Sequence, residues 1–284
     1  ELPDLLASVN ANIDTLTVFG LNVRDISGSG TMGPDQILLE ESRARLFGGT
    51  ATGSMDWRVP DPLRTNVRFT GRLDTLRADD FFRETGFLGR DRNFHNHVAG
   101  ALNVSVNYYA ELDETVSPDI TTTIADGSFG MSRSSLIGHP IQLKIAEFVR
   151  DPRLRQVNLD EWEADFAIRD TVLTLSNLTL TSDSIGIEMN GTQHLMTNRI
   201  DYVATLLLPA SFKGVIATVI SAPAANALQQ ENGTMGIPIR ITGTTQTPVV
   251  RPDTRIIEQV IRERAREGAG NALRRLFNRN GSDN

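Results

Sequence analysis

The sequence predicts a mainly β chain, its strands arranged in a curved, mostly antiparallel sheet with few short helices and one amphipathic helix at the C-terminal end. Three observations carry that expectation. Apolar and polar residues alternate with period two in segment after segment, the pattern of strands with one dry and one wet face. Turn-forming dipeptides separate the segments at intervals of about ten residues, which suits hairpins rather than βαβ units. Only one long stretch, near the end, carries an apolar stripe at helical spacing.

The strands follow in order. Ala51, Gly53, Met55 and Trp57 alternate with Thr50, Thr52, Ser54 and Asp56. Val67, Phe69, Gly71 and Leu73 do so against Arg68, Thr70 and Arg72, and Leu102, Val104, Val106 and Tyr108 against Asn103, Ser105 and Asn107. Leu173 and Leu175 keep the same phase until Ser176-Asn177, where it slips by one and resumes at Leu178 and Leu180. Such a slip predicts a β-bulge, which bends a sheet. Ile200, Tyr202, Ala204, Leu206 and Leu208 form a further run, ended by Pro209. Asp126-Gly127, Asn190-Gly191 and Asn232-Gly233 are read as tight turns. Ala78–Thr85, Ile141–Val149 and Ser211–Ile220 are the short helical candidates. The long helix runs from about Asp253 to Phe277, with a hinge expected where Gly268 and Gly270 weaken it. The chain accordingly divides into a β-domain over 1–252 and a helix with a frayed tail over 253–284.

Composition narrows the function. With 284 residues the chain can bury a sizeable core. No cysteine is present, which excludes a disulfide framework and a zinc-thiolate site. A net charge of -7 argues against a general nucleic-acid binder. No stretch reaches the roughly 18–20 apolar residues of a membrane-spanning helix. The first residues, Glu1-Leu2-Pro3, lack a methionine, so a processed product or an excised fragment is expected, with any anchor lying upstream.

Each candidate site is weak. Gly28-Ser29-Gly30-Thr31-Met32-Gly33 fits a dinucleotide-binding glycine pattern, but no train of alternating strands and helices follows, so it reads as a turn between strands. His95 and His97 fall on one face of a candidate strand, and a third metal ligand would have to come from His139 or Asp91; surface histidines are the better reading. Asp79 beside Asp80 reads as a helix cap for Phe81 and Phe82 rather than half of a catalytic pair. No serine sits in a nucleophile-elbow pattern. The residues therefore predict no enzyme, no metal and no cofactor, and function must lie in a surface.

The Leu46–Asp56 segment, with its Gly48-Gly49, and the closing Ile237-Pro238-Ile239-Arg240-Ile241-Thr242-Gly243-Thr244 before Thr247-Pro248 resemble the C-terminal part of the AsmA-like family. Between them lie further segments in that family's order, including Leu73–Phe82, Gly100–Val106, Trp162–Ile168 and Ile200–Pro209. The resemblance spans about Leu16 to Phe277. It implies a bacterial envelope protein, similar to bridge-like lipid-transfer proteins, in which the sheet forms a groove or half-barrel with an apolar inner face. It further implies a periplasmic location, anchorage in the inner membrane through a segment preceding Glu1, and a part in outer-membrane lipid homeostasis. In a bacterial protein the Asn-X-Ser/Thr triplets at Asn103, Asn177, Asn190 and Asn232 carry no weight.

The expected partner is then a phospholipid or other acyl lipid sliding along Val67, Phe69, Leu102, Val104, Val106, Leu173, Leu175, Leu206 and Leu208, with no covalent step. Ile257, Val260, Ile261, Leu273, Leu276 and Phe277 form the stripe expected to cap the sheet or to meet a membrane surface or envelope protein. Two other readings stand beside the groove: an assembly scaffold that offers its sheet edges to protein partners, and a carbohydrate-binding or adhesin-like β-domain. Sparse aromatics weigh against the last.

Overall fold

A computed structural model describes residues 7–18, 20–61, 64–88, 93–182, 185–230 and 232–279, with backbone alone at 18, 60, 61, 64 and 267–279. Five strands come first: β1 (Ala7–Val18), β2 (Leu21–Met32), β3 (Gln36–Leu46), β4 (Gly49–Asp61) and β5 (Arg64–Arg77). Helix α1 (Ala78–Thr85) precedes β6 (Val98–Leu112) and β7 (Ile124–Ile137); α2 (Pro140–Phe148) precedes β8 (Gln156–Arg169), β9 (Val172–Thr181), β10 (Gly186–His194) and β11 (Arg199–Pro209). Two short helices, α3 (Lys213–Ile220) and α4 (Ala222–Ala227), lead to β12 (Thr234–Thr244), β13 (Pro248–Pro252) and α5 (Thr254–Arg279).

All thirteen strands form one antiparallel sheet in sequence order, each paired with its neighbours in the chain, and the sheet does not close into a barrel. It curls strongly. Helix α2, which follows β7, packs against β13, and Gln193 on β10 donates from Nε2 to the Leu88 carbonyl just after α1 at 3.2 Å. One cause of the curl is visible between β4 and β5, where Gly53 lies opposite Gly71 on the inner face. A Cβ on Gly53 would run into the Thr70 carbonyl oxygen, and one on Gly71 into the Thr52 carbonyl oxygen and the Phe69 ring. Without side chains the two strands crease inward, and Phe69 folds over the crease.

Local chemistry explains the helix ends. Gly86 ends α1 in the left-handed region at φ 60°, where a residue without a Cβ is at ease. His139 and Gln142 form a capping box on α2, with the His139 N–H donating to Gln142 Oε1 at 3.2 Å. The carboxylate of Asp253 accepts from the N–H groups of Arg255 and Ile256 and so opens α5. The phase slip at Ser176-Asn177 is a bulge: Asn177 has φ 53°, the register shifts against β8 and β10, and Leu173, Leu175 and Leu178 all remain buried.

Several sequence expectations are corrected. Asp126-Gly127 and Asn190-Gly191 are not turns but lie inside β7 and β10. Gly127 is needed because a side chain there would strike the Ser105 carbonyl oxygen on β6, and Gly191 (φ 150°) sits at the β9–β10 bulge. Gly28 and Gly30 likewise lie inside β2, closely approached by β3, and the turn begins only at Gly33. His95 is in a short 3₁₀ turn, Phe94–Asn96, and not on a strand; His97 follows it. Asp79 does not cap α1, whose N-cap is Arg77; it lies in the first turn and pairs with Arg77 at 3.2 Å. The backbone of α5 runs through Gly268 and Gly270 as one helix, since isolated glycines weaken a helix without ending it. Helix α4 has no counterpart in the sequence reading; its six residues are too few for a periodic stripe.

Candidate functional site

Register shows which side chains share a face. Val9, Gly30, Leu39, Met55 and Phe69 lie side by side across β1–β5. The row continues through Tyr108, Ala125, Ile168 and Leu173 on β6–β9. Met32, Ile37, Trp57 and Val67 form a parallel row, reaching Ala110. One apolar face thus runs through the sheet from edge to edge. The opposite face is polar and self-paired. Asp201 accepts from Arg240 at 2.7 and 2.8 Å, and Asp126 accepts from Asn107 and Arg169 at 3.0 Å each. Hydrogen bonds from these partners, opposed by a smaller burial effect, hold both carboxyls below the ordinary aspartate range. Asp56, on the polar side of β4, is lowered too: burial works against it, but hydrogen bonds from Arg58 and Gln36 prevail.

The apolar face is treated differently at its two ends. Over β6–β12 it is largely covered. Helices α1, α2 and α3 and the 3₁₀ turns cover it, and Leu102, Leu173, Leu206, Leu208, Ile237 and Ile239 are wholly buried in one core with Ile145 and Ile216 of the helices. Over β1–β4 no described helix packs on it. Ile13, Met32 and Ile37 are 40%, 43% and 37% exposed there, and Leu39, Met55 and Trp57 are half-buried. The polar group of Ser42, which interrupts the face, is itself satisfied by donating to the Gly53 carbonyl at 2.7 Å.

Helix α1 stands at the border between the two. Its Phe81 meets Phe47 of the β3–β4 hairpin at 5.9 Å, edge to face, whereas Phe82 meets Phe94 at 4.8 Å on the covered side. Behind α1 lies a cavity of about 150 Å³, walled by Phe82, Phe87, Trp162, Leu178, Ile187 and Tyr202 among others.

The nine residues expected to line a groove all lie on this face, but the structure divides them. Leu102, Val104, Leu173, Leu175, Leu206 and Leu208 are buried in the helix-covered core, with Val106 packed against it and Leu175 also lining the cavity. Val67 is buried between Trp57 and Ala110, and Phe69 is half-buried beside Met55, at the border with the open face. The open face itself belongs to Val9, Ile13, Met32, Ile37, Leu39, Met55 and Trp57, which sequence reading did not single out as a site. The alternation in Ala51–Trp57 was visible; its lack of cover was not.

In the C-terminal stripe, Ile257 is buried against Ala224 and Leu228 of the α4 segment, and Val260 and Ile261 pack on that cluster. The side chains of Leu273, Leu276 and Phe277 lie outside the described residues. No group of three or more His, Cys, Asp or Glu able to hold a metal occurs among the described residues, and His97 stacks edge-on against His139 at 5.5 Å. No helix among the described residues is long and apolar enough to cross a membrane.

No family model, curated protein or solved structure matches the chain.

Proposed function

We propose that the open face of β1–β5 is an acyl-chain trough and that the protein is a non-enzymatic, periplasmic envelope protein supporting outer-membrane lipid homeostasis. The observation that carries the reading is the continuity of one apolar face from a helix-covered core into β1–β4, which no described helix covers. Each methylene laid on such a surface gains roughly 0.8 kcal/mol when fully buried. The trough needs no charged pocket, because a headgroup stays in water beyond the strand ends. Resemblance of the ordered segments to the AsmA-like family supports the same reading. The test is mass spectrometry of lipid extracted from the purified full chain, compared with the Met55→Asp variant. Folding of the variant is checked first by circular dichroism. Lipid in the wild type and several-fold less in a folded variant is the expected result; equal loading removes Met55 from the trough, and an empty wild type removes the trough.

A second reading, a scaffold that pairs by its sheet edge, is favoured by one contrast. Strand β13 has five residues with proline at both ends, features that blunt an edge. Strand β1 has twelve residues with neither proline nor lysine, and among the described residues it pairs only with β2.

A further inference from the structure

The cavity behind α1 is apolar and carries no ionisable acid, lysine or arginine in its wall. Two of its polar side chains are engaged elsewhere: Gln142 donates to the Leu136 carbonyl at 2.8 Å, and Gln193 is held by the Leu88 carbonyl and the Tyr202 hydroxyl; the Trp162 N–H and the Thr245 hydroxyl are buried without a hydrogen-bond partner in the protein. A charged headgroup or carboxylate would meet no lysine or arginine there, and two neutral donors do not offset the cost of burying a charge. Hydrocarbon fits. Protein interiors are packed to crystal density and leave few voids larger than a water molecule, whereas an apolar cavity of about 150 Å³ accepts a benzene-sized guest. That volume suits a short run of methylenes.

Position adds direction. The cavity and the open face are parts of the same side of the sheet, separated by α1, whose Phe81 faces the open side and whose Phe82 walls the cavity. We infer that the cavity is the end site of the trough: it takes the terminal methyl segment of a single acyl chain whose remainder lies along β1–β5. The inference rests on the acyl-chain reading above and fixes the orientation, chain end under α1 and headgroup away from it.

The two tryptophans make this testable in the intact chain, because Trp57 lies on the open face and Trp162 lines the cavity. Labelled with fluorotryptophan, the protein gives two fluorine NMR signals, assigned from a Trp162→Phe sample. Dodecanoic acid, its ω-bromo form and its α-bromo form are then added in turn. The expected result is an extra shift of the Trp162 signal with the ω-bromo acid alone. A Trp57 response without any Trp162 response overturns the cavity site and leaves the trough standing. Silence at both signals overturns both, and an equal Trp162 shift with the α-bromo acid overturns the orientation. The cavity-filling Leu178→Phe should lose the Trp162 bromine shift and keep the Trp57 response to dodecanoic acid. A Trp162 shift that survives in the folded Leu178→Phe protein also overturns the inference.

Discussion

Strands β1–β5 and β6–β13 share one sheet and one apolar face, yet Met55 on β4 is half-buried while Met131 on β7 is 2% exposed. The strands themselves do not explain this, since both halves alternate alike. The connections do. Between β1 and β5 every link is a hairpin of two or three residues, too short to fold back. From β5 onward the links carry α1, α2, α3 and α4, and those helices bring Phe81, Ile145, Ile216 and Ala225 down onto the face. A sheet buries its apolar side only where its loops are long enough to supply a second layer.

The largest expected effect sets the halves apart directly. Leu206→Ala, wholly buried on β11, should cost about 2–5 kcal/mol in urea unfolding. Ile37→Ala on the open face should cost about 0.5 kcal/mol or less. Similar losses at both positions would mean that the open face is covered in solution. Next comes the crease. Gly71→Val places a branched side chain against the Thr52 carbonyl and the Phe69 ring, and a loss of about 1–3 kcal/mol is expected. If the variant is as stable as wild type, the β4–β5 curl does not depend on the missing side chain.

Acid should produce the smallest effect, and one confined to the polar side. Asp201 has its folded pKa lowered, chiefly by the Arg240 hydrogen bond. Its contribution is therefore present above the unfolded value of about 3.9 and fades as pH falls through the lower folded value. Urea midpoints of wild type and Asp201→Asn should converge as pH drops below about 3.9, and a constant difference would refute the assignment. Both side chains of this pair are well exposed, 37% and 49%, so the change should be small and weakened by salt.

Much of this was legible without coordinates. Alternation in Val67–Leu73, Leu102–Tyr108 and Ile200–Leu208 determined strands and their dry side, because a side-chain period of two is a local property of the extended backbone. The slip at Ser176-Asn177 gave away its bulge, and Ala78–Thr85 ended at Gly86 as its capping chemistry requires. Glycines were less transparent. Asp126-Gly127 has the composition of a turn, but in β7 the glycine answers to a neighbouring strand, a contact with a residue about twenty positions away that no local pattern encodes.

What the sequence determined by itself is therefore the β class, the mostly antiparallel sheet and the dry side of the strands whose alternation is regular, each fixed by interactions within a few residues or between adjacent strands. What only the tertiary structure decided is which part of that face is covered and which is open. Leu206 and Ile37 look alike along the chain. Only the curl of the sheet, and the helices it brings across β6–β12, make one of them core and leave the other facing water, because burial depends on what packs above a strand and not on the strand's own pattern.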